Sequence, residues 1–218
     1  MDDKEDNRLT KSFVQQMLNA LETVTKKAKN GKKALITTGV GRFYSNGIKT
    51  DKPADNEAKD LTNAIYLLLR TILTFPIPTI AVLNGHAFGA GAMLALCHDY
   101  RYMNATKGWI GYPLLDIGVI LPLPLFEVLK TKLGNPTLVR DLIQLKRRLD
   151  GREAERVLFV DRAVEGERLM EEAVGFAARA AGLCDSCEVY QGIKRNMYST
   201  LEALLKETDK PLVFVAKL

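Results

Sequence analysis

The sequence predicts an α/β core followed by a helical C-terminal region. Short β-branched runs alternate with amphipathic stretches through the first 150 residues, and the apolar spacing beyond them is helical alone. Glycine-bearing turns follow two of the runs. At 218 residues and 47% hydrophobic content, the chain can bury one sizeable core.

An amphipathic helix opens the chain, with Leu9, Phe13, Met17, Leu21 and Val24 at helical spacing and Asn30-Gly31 as a left-handed stop. Residues 34–38 read as a buried strand ending at Gly39, followed by a polar loop over 41–55. A helix over 57–73 is halted by Phe75-Pro76-Ile77-Pro78, and residues 79–83 read as a second buried strand. Asn84-Gly85 is a turn signal, and Gly89-Ala90-Gly91-Ala92 opens a small-residue helix running to about His98. Short strands are expected at 99–103 and 109–110, and another apolar segment at 116–120. Helices are expected over 125–133, 137–145, 152–157, 166–181 and 186–206.

Composition excludes some classes. The net charge of +5 is scattered, with no basic stripe interleaved with aromatics, which argues against nucleic acid binding while suiting an anionic ligand. No apolar run is long enough for a membrane span, and the polar, acidic start over 1–7 is unlike a secretory signal, so a soluble protein is expected. Three cysteines, Cys97, Cys184 and Cys187, point to free thiols in a reducing compartment. Cys184-Asp-Ser-Cys187 has metal-ligand or redox spacing, but it lacks a second Cys pair, and His86 and His98 lie far away, so no metal site is expected.

Two turns carry the chemistry: Ser45-Asn46-Gly47-Ile48 after the first strand, and the run from Gly85 to Gly91 after the second. Glycines leave backbone N–H groups accessible, and a helix start adds unpaired donors and a positive dipole end, so two such turns meeting would bind a developing oxyanion. Close chain packing alone would equally account for these glycines. The spacing G-x-x-x-G-x-G in the second turn is not the dinucleotide-binding pattern.

The stretch from Ala34 to Gly47 and the stretch from Pro78 to Tyr100 resemble, in order and separation, the two signature stretches of the crotonase superfamily of enoyl-CoA hydratases and isomerases. Phe-Tyr-Ser-Asn-Gly47, Asn84-Gly-His-Ala87, His98-Asp-Tyr100 and Asp116-Ile-Gly118 are most similar to the peroxisomal Δ3,Δ2-enoyl-CoA isomerases. The resemblance implies a crotonase-like spiral of β-β-α turns, with a core over 1–150 and a helical extension over 151–218. It implies assembly into a homotrimer or hexamer, and an acyl-CoA or enoyl-CoA thioester as ligand, coenzyme A being part of the substrate rather than a separate cofactor. By position, the N–H groups of Ile48 and Ala90 would hold the thioester oxygen, with Ser45, Asn46, Gly47, Gly89, Gly91 and Leu114 around the substrate. The chain ends in Ala216-Lys217-Leu218, a variant of the address read by the peroxisomal import receptor, so a peroxisomal location is expected.

The chain departs from the family in three places. Met93 and Leu114 stand where hydratases, and at the second position many isomerases, carry glutamates, and neither side chain moves a proton. Only about seven residues precede the first helix, where the family has a strand hairpin. A proton shift needs a base, and Asp116, two residues past Leu114 and on its face if the segment is extended, is the first candidate, against the alternative of a structural carboxylate. Glu127 is the second candidate, and His86 and His98 read as a loop and a helix-end residue. Lys49, Lys52, Lys194 and Arg195 are candidates for coenzyme A phosphates, with solvated surface charge as the alternative. The expected function is double-bond migration in an enoyl-CoA during fatty-acid β-oxidation. The alternatives are a non-catalytic acyl-CoA-binding homologue and a different thioester reaction of specialised metabolism.

Overall fold

The computed structural model describes residues 6–28, 32–48, 55–206 and 213–214. The Asn30-Gly31 stop, Lys49, Lys52 and the Ala216-Lys217-Leu218 tail lie outside the described residues.

Helix α1 (Lys11–Lys27) is capped by Thr10, whose hydroxyl accepts the Phe13 N–H at 3.2 Å. Three β-β-α turns follow. The first is β1 (Leu35–Thr38), β2 (Phe43–Ser45) and α2 (Asp55–Leu73); the second is β3 (Thr79–Leu83), β4 (His86–Phe88) and α3 (Ala90–Cys97). The third is β5 (Tyr100–Asn104), β6 (Ile110–Gly111) and the short α4 (Leu114–Ile117). The first strands pair in parallel in one sheet and the second strands in another, so each turn of the spiral stacks on the last. This is the spiral that the two signature stretches imply.

The chain continues through β7 (Val119–Ile120), α5 (Leu123–Leu133), α6 (Pro136–Gln144), α7 (Gly151–Arg156), β8 (Arg162–Val164), α8 (Leu169–Gly182), α9 (Cys187–Met197), α10 (Ser199–Leu204) and β9 (Val213–Phe214). The second half is therefore not helical alone. Strand β8 pairs with β5 and completes the four-stranded order β1-β3-β5-β8, which carries the core sheet past residue 150. Three residues flanked by charge give no periodicity to read.

Other expectations change for similar reasons. The polar loop over 41–55 contains β2, and His86 belongs to strand β4 rather than to a loop; both strands are three residues long. Segment 116–120 is not extended throughout: it holds the end of α4, a left-handed Gly118 (φ 64°) and then β7. The helix expected over 186–206 breaks at Tyr198 into α9 and α10. Strand β1 is only half-buried because it is the sheet edge, whereas all five residues of the interior strand β3 are buried. Residues 91–97 of α3 are all buried, so this small-residue helix runs through the middle of the core.

Candidate active site

Two glycines lock the turns together. Gly47 has φ +70°, and a Cβ there would lie 2.7 Å from the Phe88 carbonyl oxygen and 3.3 Å from the Ala90 nitrogen. A Cβ on Gly91 would lie 2.5 Å from the Ser45 carbonyl oxygen. Only residues without a side chain let the end of β2 approach the start of α3 this closely. The segment before α1 straps the first turn in place. Ser45 Oγ donates to Asn7 O at 2.7 Å and accepts the Gly47 N–H at 3.3 Å. Asn46 N–H donates to Asp6 O at 2.9 Å, and its amide group donates to Asp6 Oδ2 at 3.0 Å. Leu9 N–H donates to Gly47 O at 2.8 Å, and Arg8 donates to Ile48 O at 3.1 Å.

Ala90 is the first residue of α3, so its N–H has no intrahelical acceptor. Among the described residues neither this N–H nor that of Ile48 donates to the chain. Both residues border one cavity of about 220 Å³, together with Asn46, Gly47, Gly89 and Leu114. Ser45 and Gly91 do not line it: they stand behind it, where each holds the two turns in contact.

The remaining wall is largely apolar, from Ile65, Phe88, Met93, Ile117, Val119, Leu121 and Leu125. Its polar side chains are Arg8, Asn46, Thr62 and Tyr112, and no carboxylate or imidazole lines it among the described residues. Arg8 and Tyr112 are absent from the sequence reading. Arg8 is marked only by its place before an amphipathic helix, and Tyr112 only by its place beside Pro113 and Leu114. Among the described residues the buried Tyr112 hydroxyl has no hydrogen-bond partner, and burial holds its pKa well above the ordinary phenol value. It stays a neutral O–H at physiological pH.

Asp116 is placed differently from its expectation. Residues 114–117 form α4, so a two-residue offset turns the carboxylate away from Leu114 instead of restoring its face. Leu114 is buried on the cavity wall, while Asp116 is exposed and pairs with Lys146 at 2.7 Å. Asp116 lines a smaller neighbouring cavity of about 140 Å³ with Lys146 and Arg148. Asn46, Phe88, Tyr112 and Pro113 are common to both cavities. Glu127 lies on α5, off the cavity wall, and pairs with Lys130 at 2.6 Å.

A second group of buried titratable side chains stands at the other end of α3. His98 caps that helix, fully buried, with ring nitrogens 2.9 Å from Thr37 Oγ1 and 2.8 Å from Leu94 O. Desolvation lowers its pKa to about 4, so it is a neutral structural ring. Lys194 is not a surface cation: it is buried and pairs with Asp99 at 2.9 Å. Asp99 also accepts from the Thr79 N–H and hydroxyl at 2.9 and 3.1 Å. Arg195 is exposed. His86 stacks on Phe88 with ring centroids 5.5 Å apart, and burial followed by the charges of Arg42 and Arg148 lowers its pKa. Among the described residues, no three His, Cys, Asp or Glu side chains come together to hold a metal ion. No described helix is long and apolar enough to cross a membrane.

Comparison with known proteins places this geometry. Residues 1–210 match the family model for enoyl-CoA hydratase/isomerase. The chain is 30% identical over 206 residues to enoyl-CoA delta isomerase 3 of Arabidopsis thaliana, covering 91% of this chain and 86% of that protein. It is 30% identical over 210 residues to the peroxisomal enoyl-CoA delta isomerase 2 of the same plant, covering 92% and 87%. Among solved structures, the enoyl-CoA hydratase of Mycobacterium ulcerans superposes with a TM-score of 0.84 over 94% of this chain and 89% of that one, at 23% identity. With its β-β-α spiral and paired glycine turns, the chain belongs to the enoyl-CoA hydratase/isomerase, or crotonase, family.

Proposed function

We propose that this protein binds an acyl-CoA or enoyl-CoA thioester with its carbonyl oxygen between the N–H groups of Ile48 and Ala90, and migrates the acyl double bond as an enoyl-CoA isomerase does. The observation that carries this reading is the convergence of two unpaired backbone donors on one apolar cavity, held there by Gly47 and Gly91. Loss of the α proton places negative charge on the thioester oxygen, so donors fixed around that oxygen stabilise the transition state more than the ground state. Each such donor is worth on the order of 2.7 to 4 kcal/mol. The apolar wall from Ile65 to Leu125 suits a hydrocarbon chain. The isomerase names of the plant relatives favour migration over hydration, and Met93 and Leu114 fit that choice. A peroxisomal site of action in fatty-acid β-oxidation, with import through the Ala216-Lys217-Leu218 tail, and assembly as a homotrimer or hexamer belong to the same reading.

A second reading keeps the ligand and drops the chemistry. It is favoured by the cavity wall, which among the described residues has no carboxylate or imidazole to carry a proton. In that case the protein is a non-catalytic acyl-CoA-binding homologue, or it acts on a thioester by a step that needs enolate stabilisation alone. Incubation with a 3-enoyl-CoA separates the two. Formation of the conjugated 2-enoyl thioester supports the isomerase; saturable binding without conversion supports the second reading; absence of both overturns the proposal.

A further inference from the structure

Residues 184–187 form a feature that the acyl-CoA site does not use. Cys184-Asp-Ser-Cys187 bridges the end of α8 and the first residue of α9, and Ser186 caps α9 by accepting the Val189 N–H at 3.3 Å. The two cysteines are free and stand three residues apart on one turn, and the Cys184 thiol lies 4.0 Å from Pro76 O. They differ in exposure: Cys184 is 1% exposed, whereas Cys187 is partly open to solvent. The turn is fixed to other parts of the fold. Lys32 N–H donates to Cys184 O at 3.0 Å, and the Cys187 thiol donates to Ala28 O, at the end of α1, at 2.9 Å. The chain is thus positioned so that a bond between the sulfurs closes a short loop without bringing distant segments together.

We propose that Cys184 and Cys187 are a redox-active dithiol that exchanges with a small-molecule disulfide. The chemistry is two successive thiol–disulfide exchanges. The Cys187 thiolate, as the reachable group, attacks one sulfur of the external disulfide, which releases one thiolate and leaves a mixed disulfide on Cys187. The Cys184 sulfur, three residues away on the same turn, gives up its proton and attacks Cys187 Sγ. That step forms the internal disulfide and releases the second thiol. The protein loses two hydrogens and two electrons, and the external disulfide is reduced to two thiols. Oxidation also removes the hydrogen that Cys187 gives to Ala28 O, so α9 loses a tie to the end of α1. The third cysteine, Cys97, is fully buried in α3 and takes no part.

The test uses the full-length folded protein, oxidised glutathione as the external disulfide, and intact-mass and peptide-mass measurement without reduction. The expected result is loss of two hydrogens, a Cys184–Cys187 cross-linked peptide, no stable glutathione adduct, and full reversal by excess dithiothreitol. In the Cys184→Ser variant the second exchange is blocked, so one glutathione remains attached at Cys187. A wild-type protein that keeps both thiols after equilibration, or that carries lasting glutathione adducts without the cross-link, overturns the proposal. The wild-type measurement alone decides, whether or not the variant folds.

Discussion

The two ends of α3 use the same helix in opposite ways. At its N-terminus stand Gly89, Ala90 and Gly91, with no charged side chain among them, and the positive end of the helix faces an apolar cavity. At its C-terminus, cations meet the carbonyls that the helix leaves unpaired. Lys132 Nζ donates to His98 O at 3.0 Å, and Arg101 donates to His98 O at 2.9 Å. Asp99, Lys194 and His98 complete a buried polar network there. One end is satisfied from within the protein and contributes stability. The other places at the cavity wall a donor that has no acceptor among the described residues. On the proposed function, that division lets one core helix of small residues both hold the fold together and present the thioester site.

Disrupting the C-terminal end should show the largest effect. Asp99→Ala removes the acceptor of Lys194 and of both Thr79 donors and leaves a buried ammonium without its carboxylate. Breaking a buried pair this way costs about 3 to 5 kcal/mol. Urea unfolding of the variant should show a loss of that size, and a loss under about 1 kcal/mol would mean that Lys194 finds another partner.

The same end should also make stability depend on pH. The unfolded His98 ring takes up a proton near its ordinary value of 6.5, but the folded ring does so only near 4. Stability contributed by the neutral ring is therefore complete above 6.5 and falls as pH drops from 6.5 toward 4, by up to about 3 kcal/mol. Unfolding measured across that window should show the slope, and His98→Asn should flatten it. An unchanged slope in the variant would assign the acid sensitivity to other groups.

At the N-terminal end, the contrast is sharpened by Gly91→Ala. The added Cβ would lie 2.5 Å from Ser45 O and 2.6 Å from Ser45 Cβ, so the two turns must move apart. Overpacking costs about 1 to 3 kcal/mol. Because the donors at Ile48 and Ala90 lose their alignment, binding of an enoyl-CoA should weaken by more than the stability loss explains. Parallel melting and ligand titrations check this, and a variant with normal affinity would separate the oxyanion reading from the contact between the turns.

The two ends of α3 were not equally legible in the sequence. The glycine turns could be read because their chemistry is local: the motif itself supplies the flexible backbone and the helix start. The buried network could not, since Lys194 meets Asp99 across 95 positions and nothing near Lys194 distinguishes it from a surface cation. Strands of four or five residues with β-branched side chains, such as β3, were readable, whereas the two- and three-residue strands β2, β4, β7 and β8 exist through pairing rather than pattern. Tyr112 and Arg8 reach the cavity only because the spiral brings the end of β6 and the segment before α1 beside the turns.

Asp116 is where local pattern and fold diverge most clearly, and it carries the smallest expected effect. On an extended strand it would share the face of Leu114; on α4 it points elsewhere and meets Lys146. Both partners are about half exposed, with side-chain exposures of 45% and 50%, so the pair is screened by water and contributes at most about 1 kcal/mol. Asp116→Asn should therefore leave the melting temperature nearly unchanged. If the enzyme isomerises a 3-enoyl-CoA, the variant's kcat separates two routes for the proton. Undiminished turnover removes Asp116 as base and returns the question to the groups around the larger cavity. A loss of 100-fold or more, the order expected for a missing general base, would require α4 to rotate in the complex so that the carboxylate leaves Lys146 and reaches the acyl chain through the wall shared by the two cavities.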